Sequence, residues 1–180
     1  MLIKLESDRL IVRKLKTYDL FDAFEYMSDE DTMKYFTEGP YNKNKVKKML
    51  NPEGEQEHYA IVLKDNLKTI GHLDFHKWEM KDTYEIGWAI NKSFSNQGYV
   101  TEAAKLLISH VFSKNKVHRI IATCQPQNIA SKRICEKLGM RLEGTFIKCI
   151  FSKKDDAWWD ELFYALLKEE YFENKNNISR

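Results

Sequence analysis

Two stretches in the middle of the chain carry residue types whose spacing suits the binding of a phosphate ester. In Ser95-Asn96-Gln97-Gly98-Tyr99-Val100-Thr101-Glu102-Ala103-Ala104, a polar loop with one glycine leads from the end of a strand into a helix. The opening turn of a helix has unpaired N–H groups and the positive end of the backbone dipole, so the amides from Gln97 to Thr101 can converge on an anion such as a diphosphate. Gly98 carries no Cβ and lets the main chain approach closely. Ala103, Ala104 and Leu107 then pack the helix on a sheet, while Thr101 and Glu102 brace its first turn. A lone glycine at a strand-to-helix turn is also an ordinary connection, so the loop is a weak signal by itself. It lacks the Gly-Lys-Ser/Thr of a Walker loop and the three spaced glycines of a dinucleotide fingerprint, which sets both classes aside. The second stretch, Asn128-Ile129-Ala130-Ser131 to Glu136-Lys137-Leu138-Gly139-Met140, puts Asn128 and Ser131 at a helix start and Gly139 at its stop.

The remaining reactive residue types narrow the chemistry. His58, His72, His76, His110 and His118 show no metal or nucleophile spacing, because His72-Leu73-Asp74-Phe75-His76 alternates as a strand. No metal is expected, and His76 is at most an accessory base. Cys124, Cys135 and Cys149 are odd in number, lack C-x-x-C spacing and sit among apolar residues, which fits buried thiols in a reducing cytosol. The 29 Lys and Arg against 27 Asp and Glu are interspersed, so no stripe for nucleic acid emerges. No apolar run reaches the roughly 20 residues of a membrane span, and the N-terminus lacks a signal peptide's apolar core; a cytoplasmic protein without a membrane partner is expected.

These elements need a scaffold, and 180 residues with 43% apolar content suffice for one domain over residues 1–180 with a core of about 7–171. Arg9 to Arg13 alternates as a strand, and Thr17 or Asp19 can cap a helix burying Leu20, Phe21, Phe24 and Met27. A further helical piece is expected around Asp31 to Phe36, then a lysine-rich helix with Val46, Met49 and Leu50 on one side. Tyr59 to Leu63, Thr69 to Phe75 and Tyr84 to Asn91 read as an antiparallel meander. A helix through Val111, a strand from Arg119 to Cys124 and a helix from Asn128 to Leu138 follow. Met140 to Phe151 and Trp158 to Leu167 read as two strands around a Lys153-Lys154-Asp155-Asp156 turn, and Asn174 to Arg180 as a frayed tail. The fold class is α+β, with a mixed, mostly antiparallel sheet and helices on both faces.

Together the two stretches resemble the acyl-CoA grip of the GNAT N-acetyltransferases, in the branch typified by RimJ and RimL. The superfamily pattern of Gln or Arg, two residues, Gly, one residue, then Gly or Ala falls on Ser95, Gly98 and Val100, keeping only the central glycine. The RimJ/RimL form Gly-x-Gly-Tyr-Ala-Thr-Glu-Ala is followed from Gly98 to Ala103, with Asn96 in place of the first glycine and Val100 in place of the alanine. His118-Arg119-Ile120, Asn128 to Ser131, Glu136 to Met140 and Glu143-Gly144 are similar to the second signature, which is the more specific match. Arg9 to Arg13, Ile70-Gly71, Tyr84 to Trp88 and Trp159-Asp160 through Tyr164 extend the likeness to about Ser7 to Tyr171.

The resemblance implies acetyl-CoA as cosubstrate, wedged between splayed strands Tyr84 to Asn91 and Arg119 to Cys124. The backbone of Trp88, Ala89 and Ile90 would pair with the pantetheine amides, and Asn96, Gln97, Gly98, Tyr99, Val100 and Thr101 would seat the diphosphate. Asn128 and Ser131 complete the grip; Arg133, Lys137 or water would meet the 3′-phosphate. Acetyl transfer needs a neutral amine, a stabilised oxyanion and a donor to the thiolate. Many relatives use a tyrosine as that donor, but its position here is Cys135, so the resemblance moves the role to Ser131. Glu85 is the candidate base, acting through water, because its alternation partners Gly87 and Ala89 leave room beside it; a solvated surface glutamate is the plainer reading. Phe146 to Phe151 has no carboxylate, which leaves Asp160 as the late alternative, and N–H groups around Ala89 and Ile90 would serve the oxyanion. The implied acceptor is the N-terminal amine of a protein of the ribosomal type; a small-amine or antibiotic acetyltransferase, or a non-catalytic acyl-CoA module, are the alternatives. The chain would act as a monomer or homodimer. Asp29, Glu30, Asp31, Glu38, Glu53, Glu55 and Glu57 could attract a cationic acceptor, although such a run is usually just solvated.

Overall fold

The computed structural model describes residues 4–51, 57–114 and 116–178. Eight strands form one sheet in the order β1-β2-β3-β4-β5-β6-β8-β7. They are β1 (Lys4–Glu6), β2 (Leu10–Lys14), β3 (Glu57–Leu63), β4 (Thr69–Lys77), β5 (Thr83–Ile90), β6 (Arg119–Cys124), β7 (Arg141–Ser152) and β8 (Ala157–Leu167). The described residues also form five α-helices: α1 (Leu20–Met27), α2 (Lys43–Leu50), α3 (Tyr99–Lys114), α4 (Ile129–Lys137) and α5 (Lys168–Ile178).

The period-2 alternation of the strands gives the sheet two faces with different cores. On one face Leu10, Val12, Tyr59, Ile61, Leu73, Phe75, Ile86, Ile120 and Ala122 pack against Val100, Ala103, Ala104, Leu107, Ile108 and Val111 of α3 and Cys135 of α4. On the other, Ala60, Val62 and Ala89 meet Ala23, Tyr26 and Met27 of α1 and Val46 and Leu50 of α2. Leu107 is fully buried, so this single side chain contributes about 1.5–3 kcal/mol of transfer free energy to holding α3 on the sheet.

All neighbouring strands run antiparallel except β5 and β6. That parallel pair is registered only at Thr83 with Arg119, Tyr84 with Ile120 and Glu85 with Ile121. Beyond Glu85, β5 stays tied to β4 as far as Ile90, and β6 to β8 as far as Cys124. Each strand follows its outer neighbour, so a gap opens between them. The close fit on the β4 side rests on Gly71, where a Cβ would sit 2.4 Å from the Ala89 carbonyl oxygen.

Four local expectations are corrected. Residues 31–36 form turns rather than a helix, held by the Asp29 carboxylate on the Thr32 N–H (2.8 Å) and by Met33 N–H on Asp29 O (3.0 Å). Phe21 lies outside the core, 76% exposed, with the Lys43 ammonium 5.2 Å above its ring. The chain from Asn174 to Ile178 continues α5, whose Tyr171 and Phe172 dock on the main core. Cys124 and Cys135 are buried, but Cys149 is exposed because β7 is an edge strand.

Candidate active site

Two cavities flank α4 on the side where β5 and β6 part. The first, of about 160 Å³, lies between the β5–α3 loop and α4 and is lined by Asn96, Gly98, Tyr99 and Thr101 opposite Arg133 and Lys137. Ile90 and Val100 also face it. Its loop turns through two left-handed residues, Asn96 at φ +60° and Gly98 at φ +81°. Asparagine tolerates that region better than other residues with a Cβ, which accounts for its presence where the resembled pattern has glycine. The first helical bond of α3 runs from Glu102 N–H to Gly98 O (3.0 Å), leaving the preceding N–H groups outside the ladder. Two basic side chains one helical turn apart on α4 add positive charge opposite this row of donors.

The loop is braced from the turn between β1 and β2, a contribution that local sequence reading missed. Arg9 Nη1 donates to Gln97 O (3.2 Å), Nε donates to Glu102 Oε2 (2.9 Å), and the guanidinium lies 4.4 Å from the Tyr99 ring centroid. Ser7 Oγ donates to the other Glu102 oxygen (2.6 Å). Burial disfavours the Glu102 charge, yet the hydrogen bonds from Arg9 and Ser7 outweigh it and hold the pKa below the ordinary value. Glu102 thus fastens the first turn of α3 to the turn between β1 and β2.

The second cavity, of about 220 Å³, passes through the gap in the sheet and is lined by residues of both faces. Register makes Asp74 and Gly87 opposite neighbours, as it does His76 and Glu85, so these side chains share the face of Ala89. Trp88 projects to the other face, where its indole N–H donates to Ser131 Oγ on α4 (3.1 Å). Asn128 Oδ1 caps α4 by accepting from Ser131 N–H (3.2 Å). Glu85 and Ser131 therefore reach one cleft from opposite sides of the sheet.

The Glu85 carboxylate accepts from Thr123 Oγ1 (3.1 Å) and faces His76 Nε2 (3.1 Å), whose pKa this hydrogen bond raises. Asp74 Oδ1 meets His58 Nδ1 and, at 3.5 Å, His72 Nε2, while His72 Nδ1 is 2.9 Å from Tyr26 OH. Burial opposes the Asp74 charge, but the two histidines prevail and hold its pKa far below the ordinary value. Its Oδ2 lies on the open side of Gly87, where a Cβ would be 3.5 Å away. Glu161 of β8 is the third carboxylate of the cleft; burial first and the nearby Glu85 second push its pKa up. Tyr35, Phe36 and Thr37 close the cleft from the segment before α2, pinned by Lys154 N–H on Thr37 O (3.1 Å) and Tyr35 OH on Gln127 O (3.0 Å).

The expected site residues thus divide into groups. Ile90, Asn96, Gly98, Tyr99, Val100 and Thr101 line the first cavity; Glu85, Trp88, Asn128 and Ser131 line the second. Gln97 lines neither, its side chain donating to Ser93 O (3.3 Å) and its carbonyl accepting from Arg9. Ala89 also lines neither. Asn91 N–H pairs with Ile70 O (2.8 Å), and since main-chain groups point alternately to the two sides of a strand, Ala89 faces β4 while Trp88 and Ile90 face the gap. Asp160 lines neither cavity; its Oδ1 accepts from the N–H of Lys148, a left-handed residue in β7 (2.7 Å). Cys135 is core.

Four of the seven carboxylates of the acidic run are paired with lysines, and Glu30 is exposed. Asp29 and Asp31 meet Lys92, Glu38 meets Lys153 and Lys45, and Glu57 meets Lys14. Glu53 and Glu55 lie outside the described residues. Of the three carboxylates that face the cleft, Glu85 was singled out from sequence and Asp74 and Glu161 were not. Their signal was the parity of Glu161 with Phe163 and of Asp74 with His76 on their strands.

Residues 9–141 match the family model described as Acetyltransferase (GNAT) domain. An uncharacterized N-acetyltransferase of Bacillus subtilis (strain 168), YnaD, is 42% identical over 167 residues, covering 92% of this chain and 97% of that protein. The ribosomal-protein-serine acetyltransferase of Escherichia coli (strain K12) is 30% identical over 118 residues, which is 65% of this chain and 64% of that one. Among solved structures, an acetyltransferase (GNAT family) from Bacillus anthracis superimposes with a TM-score of 0.87 at 40% identity, covering 93% of this chain and 100% of that one. No helix among the described residues is long and apolar enough to cross a membrane.

Proposed function

The chain belongs to the GNAT acetyltransferase family and is an acetyl-CoA-dependent N-acetyltransferase, and on that premise we propose that it acetylates the N-terminal α-amine of a protein of the ribosomal type, with Glu85 as base and Ser131 as donor to the thiolate. The observation that carries this reading is the cleft through the sheet, with Glu85 on one face and Ser131 on the other. A thioester held in the gap presents its carbonyl carbon to an amine from the Glu85 side, while its sulfur leaves toward α4. The diphosphate would rest on the free N–H groups from Gly98 onward, with Arg133 and Lys137 opposite. The unpaired edge groups of Trp88 and Ile90 would take the pantetheine amides as an added strand.

The order of events follows from these positions. An ammonium enters past Tyr35 and Phe36 into a cleft where Asp74 keeps its negative charge. Glu85, oriented by Thr123 and His76, accepts its proton through water. The neutral amine attacks the carbonyl carbon, the electron pair of the breaking C–S bond passes to sulfur, the second amine proton leaves to solvent along the same water path after Glu85 has released the first, and Ser131 hydrogen-bonds the thiolate. Freeing the lone pair at pH 7 costs about 1 kcal/mol for an α-amine but about 4.6 kcal/mol for a lysine-type amine, so one water-linked carboxylate suits the α-amine. The resemblance to the RimJ/RimL branch and the ribosomal-protein-serine acetyltransferase among the relatives support the same acceptor.

A second reading, a small polycationic amine, is favoured by the three carboxylates Asp74, Glu85 and Glu161 in one cleft. CoA release from acetyl-CoA with N-terminal peptides, acetyl-capped lysine peptides and free diamines separates the two. Fastest turnover with uncapped peptides is the expected result; turnover with diamines alone would transfer the assignment to the second reading.

A further inference from the structure

We propose that Trp88 is a positioning residue for the transfer step: its indole N–H fixes the Ser131 oxygen so that the hydroxyl proton is presented to the departing thiolate. This rests on the donor role given to Ser131 above. A serine hydroxyl has one proton and two acceptor lone pairs, and an indole N–H can only donate. Trp88 Nε1 donates to Ser131 Oγ at 3.1 Å, so one lone pair is occupied and the oxygen's place is set from β5. The Ser131 main-chain N–H is taken by Asn128 Oδ1 (3.2 Å), which sets the residue from its other side. Among the described residues the hydroxyl proton has no acceptor, although a helical serine commonly returns it to the carbonyl four residues earlier. The donor is therefore oriented and uncommitted, inside the cleft that both side chains line.

The bond also crosses the gap, from the strand on one side to the helix on the other. Trp88 packs against the main core, so its N–H is held by a ring with little freedom. A hydroxyl that already accepts a hydrogen bond is a better donor, because each bond in a chain polarises the next. As the C–S bond breaks and its electron pair moves to sulfur, Ser131 donates to the thiolate; the proton lost by the amine leaves on the Glu85 side. No further reactant is required.

The test is a double-mutant cycle on the full chain with Trp88→Phe, Ser131→Ala and the pair, using acetyl-CoA and the amine that gives the fastest CoA release in the panel above. Trp88→Phe is expected to lower kcat about three- to tenfold, with KM for acetyl-CoA within about twofold of the parent. In the Ser131→Ala background the same substitution should change kcat by less than about twofold, since the bond is already gone. If it lowers kcat equally in both backgrounds, Trp88 acts by packing and the proposal is overturned. If it instead tightens acetyl-CoA binding, the bond closes the gap rather than serving the reaction, which also overturns it. An unchanged kcat in Ser131→Ala removes the donor role itself, a result distinct from additivity, and absence of turnover with every amine removes both. Should Trp88→Phe fail to fold, benzothienylalanine at position 88 keeps the bicyclic shape without the N–H and decides the same question.

Discussion

Replacing Gly98 by alanine separates the two things that this residue does at the head of α3. The residue sits at φ +81°, and the nearest heavy atom to an added Cβ is Arg9 Nη2 at 3.8 Å, an ordinary contact. No collision opposes the substitution, so its cost is conformational: about 1–2 kcal/mol for a non-glycine residue in the left-handed region. At roughly 2–4 °C per kcal/mol for a chain of this size, the melting temperature should fall by about 2–8 °C. The loop can instead escape the strain by turning the peptide out of its left-handed form. Stability would then be nearly kept, but the N–H row following Gly98 would lose its common direction. The two responses are measured together by urea denaturation and by titration calorimetry with CoA. Loss of stability with retained CoA affinity, or retained stability with CoA binding weakened by tenfold or more, are both accommodated. A variant with the parent's stability and the parent's CoA affinity would refute the reasoning.

Gly71→Ala is a different kind of change, since its Cβ would lie 2.4 Å from the Ala89 carbonyl and 3.1 Å from Ile90 Cα, both backbone; a loss at or above the top of the ~1–3 kcal/mol range for overpacking is expected in urea melts. Glu85→Gln should lower kcat by about 10²-fold or more while leaving the CoA dissociation constant within about twofold, as read by steady-state kinetics and calorimetry. His76 has its pKa raised by the hydrogen bond to Glu85, so its charge contributes stability fully below about pH 6.5 that is lost as pH rises through the folded value. Urea melts at pH 6 and pH 9 should show that decline in the parent and a smaller one in His76→Gln. Arg9→Met removes the brace on Glu102 and Gln97, and differential scanning fluorimetry should show a lower melting temperature together with a smaller stabilisation by CoA.

The placement of the loop and helix starts around one cavity was legible because its information is local. A polar loop, a glycine and an alanine-rich helix start, with Asn128 as a cap, dictate geometry within a few residues of themselves. The acceptor half depends on which strands become neighbours. Glu161 faces the cleft and Asp160 does not, a difference of one residue that flips with register, and nothing near Trp159 states how β8 aligns with β6. Asp74 likewise matters only once β3, β4 and β5 are side by side, since His58 is far from it in sequence. A helix was expected around Asp31 to Phe36, where Met33 and Phe36 stand three apart, a spacing compatible with one face of a helix. In the folded chain those residues are apolar anchors of a turn whose course is set by Thr37 and Tyr35 bonding to distant loops. Phe21 was misplaced because a two-turn helix has too few positions for periodicity to fix which side faces inward.

The gap between β5 and β6 has a bearing on how this enzyme can change. The residues that would grasp the carrier lie on one uninterrupted stretch, from Trp88 to Lys137, whereas the mouth facing the acceptor draws on Tyr35 to Thr37, Asp74 and Glu85 before that stretch and on Ile150 and Glu161 after it. Selection can therefore rewrite acceptor preference at either terminus without touching the segment that handles the thioester, and a library confined to residues 35–37 and 146–161 is the economical route to new amines.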